Sequence, residues 1–176
     1  QTYDGNPSPA SASAKDSGNN ALGGVTIGIT YDGSNTAPTN AGSYAVVATI
    51  DDTNYSGTAS GTLVVAKADA TVTLGSLNPT YTGSSIDATA VTNPVGLDVD
   101  FTYSTDDPTN AGTYTVTGTI NNTNYQGSAT SDAFVIAKAP LTATLGSKSI
   151  VYGSVKPTAA EWAATLTYSN GFLGSD

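Results

Sequence analysis

From Thr113 to Ile120 polar and apolar residues alternate without a break. Tyr114, Val116, Gly118 and Ile120 fall on one phase, and Thr113, Thr115, Thr117 and Thr119 on the other. A period of two predicts a strand with one face packed and the other in water. Seventy residues earlier the same phase runs through Tyr44, Val46, Ala48 and Ile50, with Ala45, Val47 and Thr49 between them. The inward set keeps its apolar kind while the outward set drifts from Thr to Ala and Val. Packing restricts size and polarity, and solvent does not.

The alternation sits inside a longer repeat. Pro38–Gly57 reads PTNAGSYAVVATIDDTNYSG, and Pro108–Gly127 reads PTNAGTYTVTGTINNTNYQG. After each strand comes a turn, Asp51-Asp52-Thr53-Asn54 or Asn121-Asn122-Thr123-Asn124. Asp and Asn suit turns because their side chains bond the nearby backbone. Tyr55-Ser56-Gly57 or Tyr125-Gln126-Gly127 then opens another strand. An apolar run (Leu63-Val64-Val65 or Phe134-Val135-Ile136) and Ala-Lys-Ala (66–68, 137–139) close each copy. A Tyr-Gly signature precedes each copy at 3–5, 81–83 and 152–153. Ala70–Leu74 and Leu141–Leu145 form strand-like lead-ins to the second and third.

These landmarks predict three units. Residues 1–68 form a unit lacking its first strand, 69–139 a complete unit, and 140–176 a partial third. Tyr3 lies 35 residues before Pro38, but Tyr81 only 27 before Pro108. The difference reads as a surface insertion within Ser11–Gly24, which costs little. About 70 residues with several short strands and turns predict a small antiparallel β-sandwich. The expected fold is therefore all-β, with tandem small immunoglobulin-like antiparallel β-sandwiches in a linear array. Ala-Lys-Ala linkers are short enough to hold the units in line. The missing lead-in and the half third unit read as a window on a longer array.

Composition narrows the chemistry. The chain has no Cys, His or Arg; its five cations are all Lys, its single Glu is Glu161, and its net charge is −9. It has no thiolate to bind metal and no imidazole to move protons at neutral pH. No basic footprint for nucleic acid exists either, and an anionic membrane surface would repel the chain. No apolar run is long enough to span a bilayer as a helix.

Together, Tyr-Asp-Gly at 3–5, Tyr-Thr-Gly at 81–83, Asn-Ala-Gly-[Ser/Thr]-Tyr at 40–44 and 110–114, Asn-Tyr-x-Gly at 54–57 and 124–127, and the closing Ala-Lys-Ala resemble the MBG domains of the YDG type. Ala139–Ala143 through Tyr152-Gly153 resembles the start of the sister YGX type. The resemblance covers nearly the whole chain. It implies bacterial immunoglobulin-like modules found in tandem in large surface and secreted proteins, hence an adhesin or fibre stalk. It carries no catalytic residues. Thr82 replaces the Asp of the motif, which argues against a general chemical role for that Asp.

Several side chains admit sharper readings. Paired carboxylates at Asp51/Asp52, Asp98/Asp100 and Asp106/Asp107 could serve a glycosidase. However, Asp51-Asp52 becomes Asn121-Asn122 in the second copy, and Asn transfers no proton. No enzyme activity is expected. No cofactor is expected; calcium is the one cation the pattern admits, with Asp51, Asp52, Asp106 and Asp107 as candidate ligands. Lys67 and Lys138 read as linker residues covering the junction, with a Lys–Asn crosslink as the rival. Tyr44 and Tyr114, following Gly42 and Gly112, resemble tyrosine corners. Tyr55 and Tyr125 are further structural candidates, and Trp162 reads as core or interface.

The function expected is a structural repeat module of a large bacterial cell-surface or secreted protein. The alternatives are a polysaccharide-binding accessory module and a donor-strand-completed filament subunit. Expected partners are flanking repeats and neighbouring copies in a fibre, at an extracellular location.

Overall fold

The structure is a computed structural model that describes residues 1–145, 151–155 and 166–168. It is all-β, with no helix among the described residues. In the first copy β1 (Thr26–Tyr31), β2 (Gly42–Asp51) and β3 (Thr58–Val65) form an antiparallel sheet in the order β1-β2-β3. Tyr44 faces Leu63 across the ladder, and Ile50 faces Ile27. In the second copy β7 (Val99–Tyr103), β8 (Gly112–Ile120) and β10 (Ser128–Ile136) repeat that sheet in the order β10-β8-β7. The second copy also has a two-stranded sheet of β5 (Thr71–Gly75) and β6 (Thr89–Asn93). Two short strands, β4 (Ala68–Asp69) and β9 (Tyr125–Gln126), pair in parallel. In the third unit β11 (Ala143–Leu145) pairs antiparallel with β12 (Leu166–Tyr168).

Contacts divide the chain into two compact units that cut across the sequence repeats. One is Gln1–Thr73 with Val91–Asp100 and Gly118–Ala129; the other is Leu74–Ala90 with Phe101–Thr117 and Thr130–Asp176. The turn of the second copy thus belongs to the same compact unit as the whole first copy.

The second unit holds a closed core. Val116, Phe134, Ile136 and Ala88 are buried, and Leu74, Leu77, Ile86, Phe101, Tyr103 and Tyr114 pack against them. Phe134 meets the rings of Tyr103 and Tyr114 at 5.4 and 6.4 Å. Strand β8 keeps its phase: Val116, Gly118 and Ile120 are buried. Strand β2 keeps the same phase, but Tyr44, Val46, Ala48 and Ile50 are only half-buried. The cause is cover. Leu74 on β5 and Leu77 beyond it lie over the second copy's inward face, and the first copy has no counterpart to β5 among the described residues.

The length difference between copies has two sources. Tyr31 Oη accepts from Ala10 N, 21 residues upstream, and Tyr103 Oη accepts from Ala88 N, 15 upstream, both at 2.8 Å. The first copy is therefore longer by six residues in this stretch. There Asp16 folds the excess into a loop by accepting from Asn20 N at 2.8 Å. The other two residues lie between Tyr31 and Pro38, outside Ser11–Gly24. They make room for a tight Tyr31–Ser34 turn, in which Asp32 (φ 47°) and Gly33 (φ 85°) are left-handed. An Asp-Gly pair suits such a turn because both residues tolerate positive φ.

Candidate functional site: a joint between repeats

The most built arrangement of polar groups lies where the two copies meet inside the first compact unit. Its foundation is a local turn. Asn122 Oδ1 accepts from Asn124 N at 2.8 Å and Tyr125 N at 3.1 Å, and Ile120 N donates to Gly127 O at 2.9 Å. A short polar side chain that bonds backbone two and three residues on fixes such a turn.

The fixed turn presents Asn124 outward. Its Oδ1 accepts from Ala41 N at 2.9 Å, and its Nδ2 donates to Asn40 Oδ1 at 3.1 Å. One amide thus bonds the Asn-Ala-Gly turn of the first copy twice, as both acceptor and donor. Below it the linker runs alongside β9: Ala68 N donates to Asn124 O and Ala70 N to Gln126 O, both at 2.8 Å. Gln126 Nε2 adds a bond to Asp69 Oδ1 at 3.0 Å. Lys67 Nζ reaches Asn122 O at 2.6 Å. The Tyr3 and Tyr125 rings meet edge to face at 5.3 Å, a favoured aromatic geometry. Gly127 is required by this approach: a Cβ there would collide with the carbonyl oxygen of Ala70.

Tyrosines fix the other half. Tyr44 Oη donates to Asn40 O and Tyr114 Oη to Asn110 O, each at 2.8 Å, tying ring to loop four residues back. The rings lie over Gly42 and Gly112, where a Cβ would sit 3.1 and 3.3 Å from the hydroxyl oxygen. The bond from Tyr44 therefore holds the Asn40–Ala41 turn in the shape that Asn124 engages.

The carboxylates do not gather. No group of three or more acidic side chains converges among the described residues. Asp52 Oδ1 accepts from Asn54 N and Tyr55 N, the role Asn122 has in the second copy. Asp51 ends β2 and is exposed, and Asp106 and Asp107 lie in an exposed turn where Asp107 has φ 55°. Asp98 offers its backbone carbonyl to Asn121 N. Two carboxyls are held below the ordinary carboxylate value. The backbone N–H of Asn20 does this for Asp16, and that of Asn6 for Asp4. Burial raises the phenol of Tyr103, and the nearby Asp87 carboxylate adds to the rise. Lys67 bonds the backbone oxygen of Asn122, whose side-chain oxygen is engaged within its own turn. Trp162 lies outside the described residues.

An open groove of about 350 Å³ runs over the first copy's inward face. Ile29, Val46, Ala48 and Leu63 form its floor, and Ala10–Ser13 border it. Its lining has no aromatic ring and no ionisable group, so it offers neither a stacking platform nor a charged anchor for a sugar. No helix among the described residues is long and apolar enough to cross a membrane.

A family model described as the MBG domain matches residues 1–69 and, again, 70–140. No curated protein and no solved structure matches the chain.

Proposed function

The chain belongs to the MBG domain family, and on that premise we propose that it is a structural repeat module of a large bacterial cell-surface or secreted protein, serving as stalk, spacer or fibre element outside the cell. The observation that supports this reading is the joint. Each copy carries a preformed turn at one end and an Asn-Ala-Gly turn with a Lys-bearing linker at the other. Where two copies meet, these ends lock through paired hydrogen bonds and one ring contact. Such a joint transmits orientation and load along a chain, and it needs no cofactor and no catalytic step. A three-residue linker bonded to the next copy's turn leaves little hinge freedom. The acidic, Thr-rich exterior keeps such a module soluble.

Backbone NMR relaxation tests the spacer role. Strands β1–β3 and the Gly118–Ala129 segment that carries the joint are expected to share one rotational correlation time. Independent motion of that segment would overturn the reading, because a joint that does not hold its two halves together cannot fix a distance.

A further inference from the structure

The two landmarks at opposite ends of each copy meet in the fold. Tyr81, of the Tyr-Thr-Gly signature, donates its backbone N–H to Ala137 O of the closing Ala-Lys-Ala, and Ala137 N donates to Pro79 O, both at 2.8 Å. Val135 N adds a bond to Leu77 O at 2.8 Å. The first copy repeats the pattern: Tyr3 N donates to Ala66 O at 2.9 Å, and Ala66 N to Gln1 O at 2.8 Å. Thr80 pairs with Ala137 and Thr2 with Ala66, and both pairings are parallel. Gly83 (φ 81°) and Gly5 (φ 83°) then turn the chain away, a conformation that glycine adopts without strain.

The direction of this pairing matters under tension. Load that passes β5 enters 77–81 at its N-terminal end and leaves 135–137 at its C-terminal end. The two segments run the same way, so they are drawn past each other lengthwise, and the bonds between them share the load. Antiparallel segments loaded at those ends would be drawn apart from one end, one bond at a time. The second copy's bonds are also screened from water, because Leu77 and Tyr81 pack against the core of Val116, Phe134 and Ile136. A hydrogen bond kept from water has no replacement partner at hand while it stretches.

We propose that the parallel pairing of the Tyr-Gly lead segment with the closing segment is a tension clamp that makes each copy resist lengthwise pulling. The proposal goes beyond the spacer reading and does not rest on it: the joint fixes orientation between copies, whereas the clamp lies within one copy. Leu77–Tyr81 and Val135–Ala137 fall in one compact unit, and Gln1–Tyr3 with Ala66 in the other, so each copy has a clamp of its own. The clamp also gives the two recurring landmarks a common purpose. Their backbones bond each other, and the glycine that follows the tyrosine ends the pairing.

The Cys-free chain accepts thiol-linked handles at chosen sites for single-molecule pulling. Asn78, Thr82 and Lys138 are all exposed. Handles on Asn78→Cys with Lys138→Cys load the pair lengthwise; handles on Thr82→Cys with Lys138→Cys draw it apart from one end. Rupture force reads the unfolding barrier, so the two chains compare the same bonds in two directions. The expected result is a several-fold higher force for lengthwise pulling. Ala137→Pro removes the N–H bonded to Pro79 O and should lower the lengthwise force toward the other value. Equal forces in the two directions overturn the proposal. So does a lengthwise force unmoved by Ala137→Pro in a chain that denaturant unfolding shows to be folded. The comparison of directions needs no proline and decides the matter alone if that variant does not fold. Equal forces leave the spacer reading standing, because that reading rests on the joint and is tested by its motion.

Discussion

Two stretches that share 13 of 20 residues, 38–57 and 108–127, fold to the same turn and the same strand yet differ in what covers them. In the second copy the inward face of the strand is sealed by Leu74 and Leu77, and the turn is clasped by the first copy's Asn-Ala-Gly loop. In the first copy the same face opens to a groove and the same turn is exposed. Local geometry is thus written in the repeat, while burial depends on which neighbour supplies a partner. Identical residues should therefore carry unequal energies.

Core truncation should show the widest gap. Val116→Ala removes two carbons from a fully buried site and should cost about 2–3 kcal/mol. Val46→Ala, facing the groove, should cost under about 1 kcal/mol, because water already reaches that face. Denaturant unfolding of the two variants measures the difference, and equal losses would show that the groove is closed in solution.

The glycine pair comes next. Gly127→Ala should destabilise by about 1–3 kcal/mol, since the new methyl group must displace the linker backbone. Gly57→Ala meets only Ile50 Cδ1 at 3.3 Å, a contact a side-chain shift relieves, so it should be near neutral. Comparable losses at both positions would place the cost in the turn itself and not in the joint.

The smallest contrast is in pH. Asp16, in the first copy's loop, has its folded value lowered by the N–H of Asn20. The stabilisation is present above the ordinary value of 3.8 and is lost as pH falls through the lower folded value. Tyr103, in the second copy, has its folded value raised by burial. Its contribution is full below 10.0 and is lost as pH rises through the raised value. Amide exchange followed across pH should therefore show the Asp16–Asn20 loop loosening in acid and the Ala88–Tyr103 contact loosening in alkali.

Much of this was legible in the sequence where the determining contacts are local. Period-two alternation set the facing of β2 and β8, because a strand's geometry fixes which residues share a side. The Asn-Ala-Gly-x-Tyr spacing carries a bond spanning only four residues. The joint was not legible. Asn124 reaches Ala41 across 83 residues, and Asn54, in the same local sequence, makes no such bond among the described residues. No local pattern separates them; the difference arises only when the linker lays one copy's turn against the other's loop. The insertion was also misread as one piece, because the Asp32-Gly33 turn shortens the path between strands and conceals two of its residues. Asp51-Asp52 gave the weakest signal: an acidic pair suggests a cation, but Asp52 is engaged by the backbone N–H groups of its own turn.

The central claim is that the joint, and not the repeat sequence, distinguishes the two copies. Amide hydrogen exchange at Ala41 and Ala111 in dilute protein tests it most directly. Both residues sit in the same Asn-Ala-Gly turn, but only Ala41 N is bonded to Asn124 Oδ1. The account predicts slow exchange at Ala41, fast exchange at Ala111, and loss of the Ala41 protection in Asn124→Ala with Ala111 unchanged. Equal rates at the two amides in the unaltered chain would contradict it.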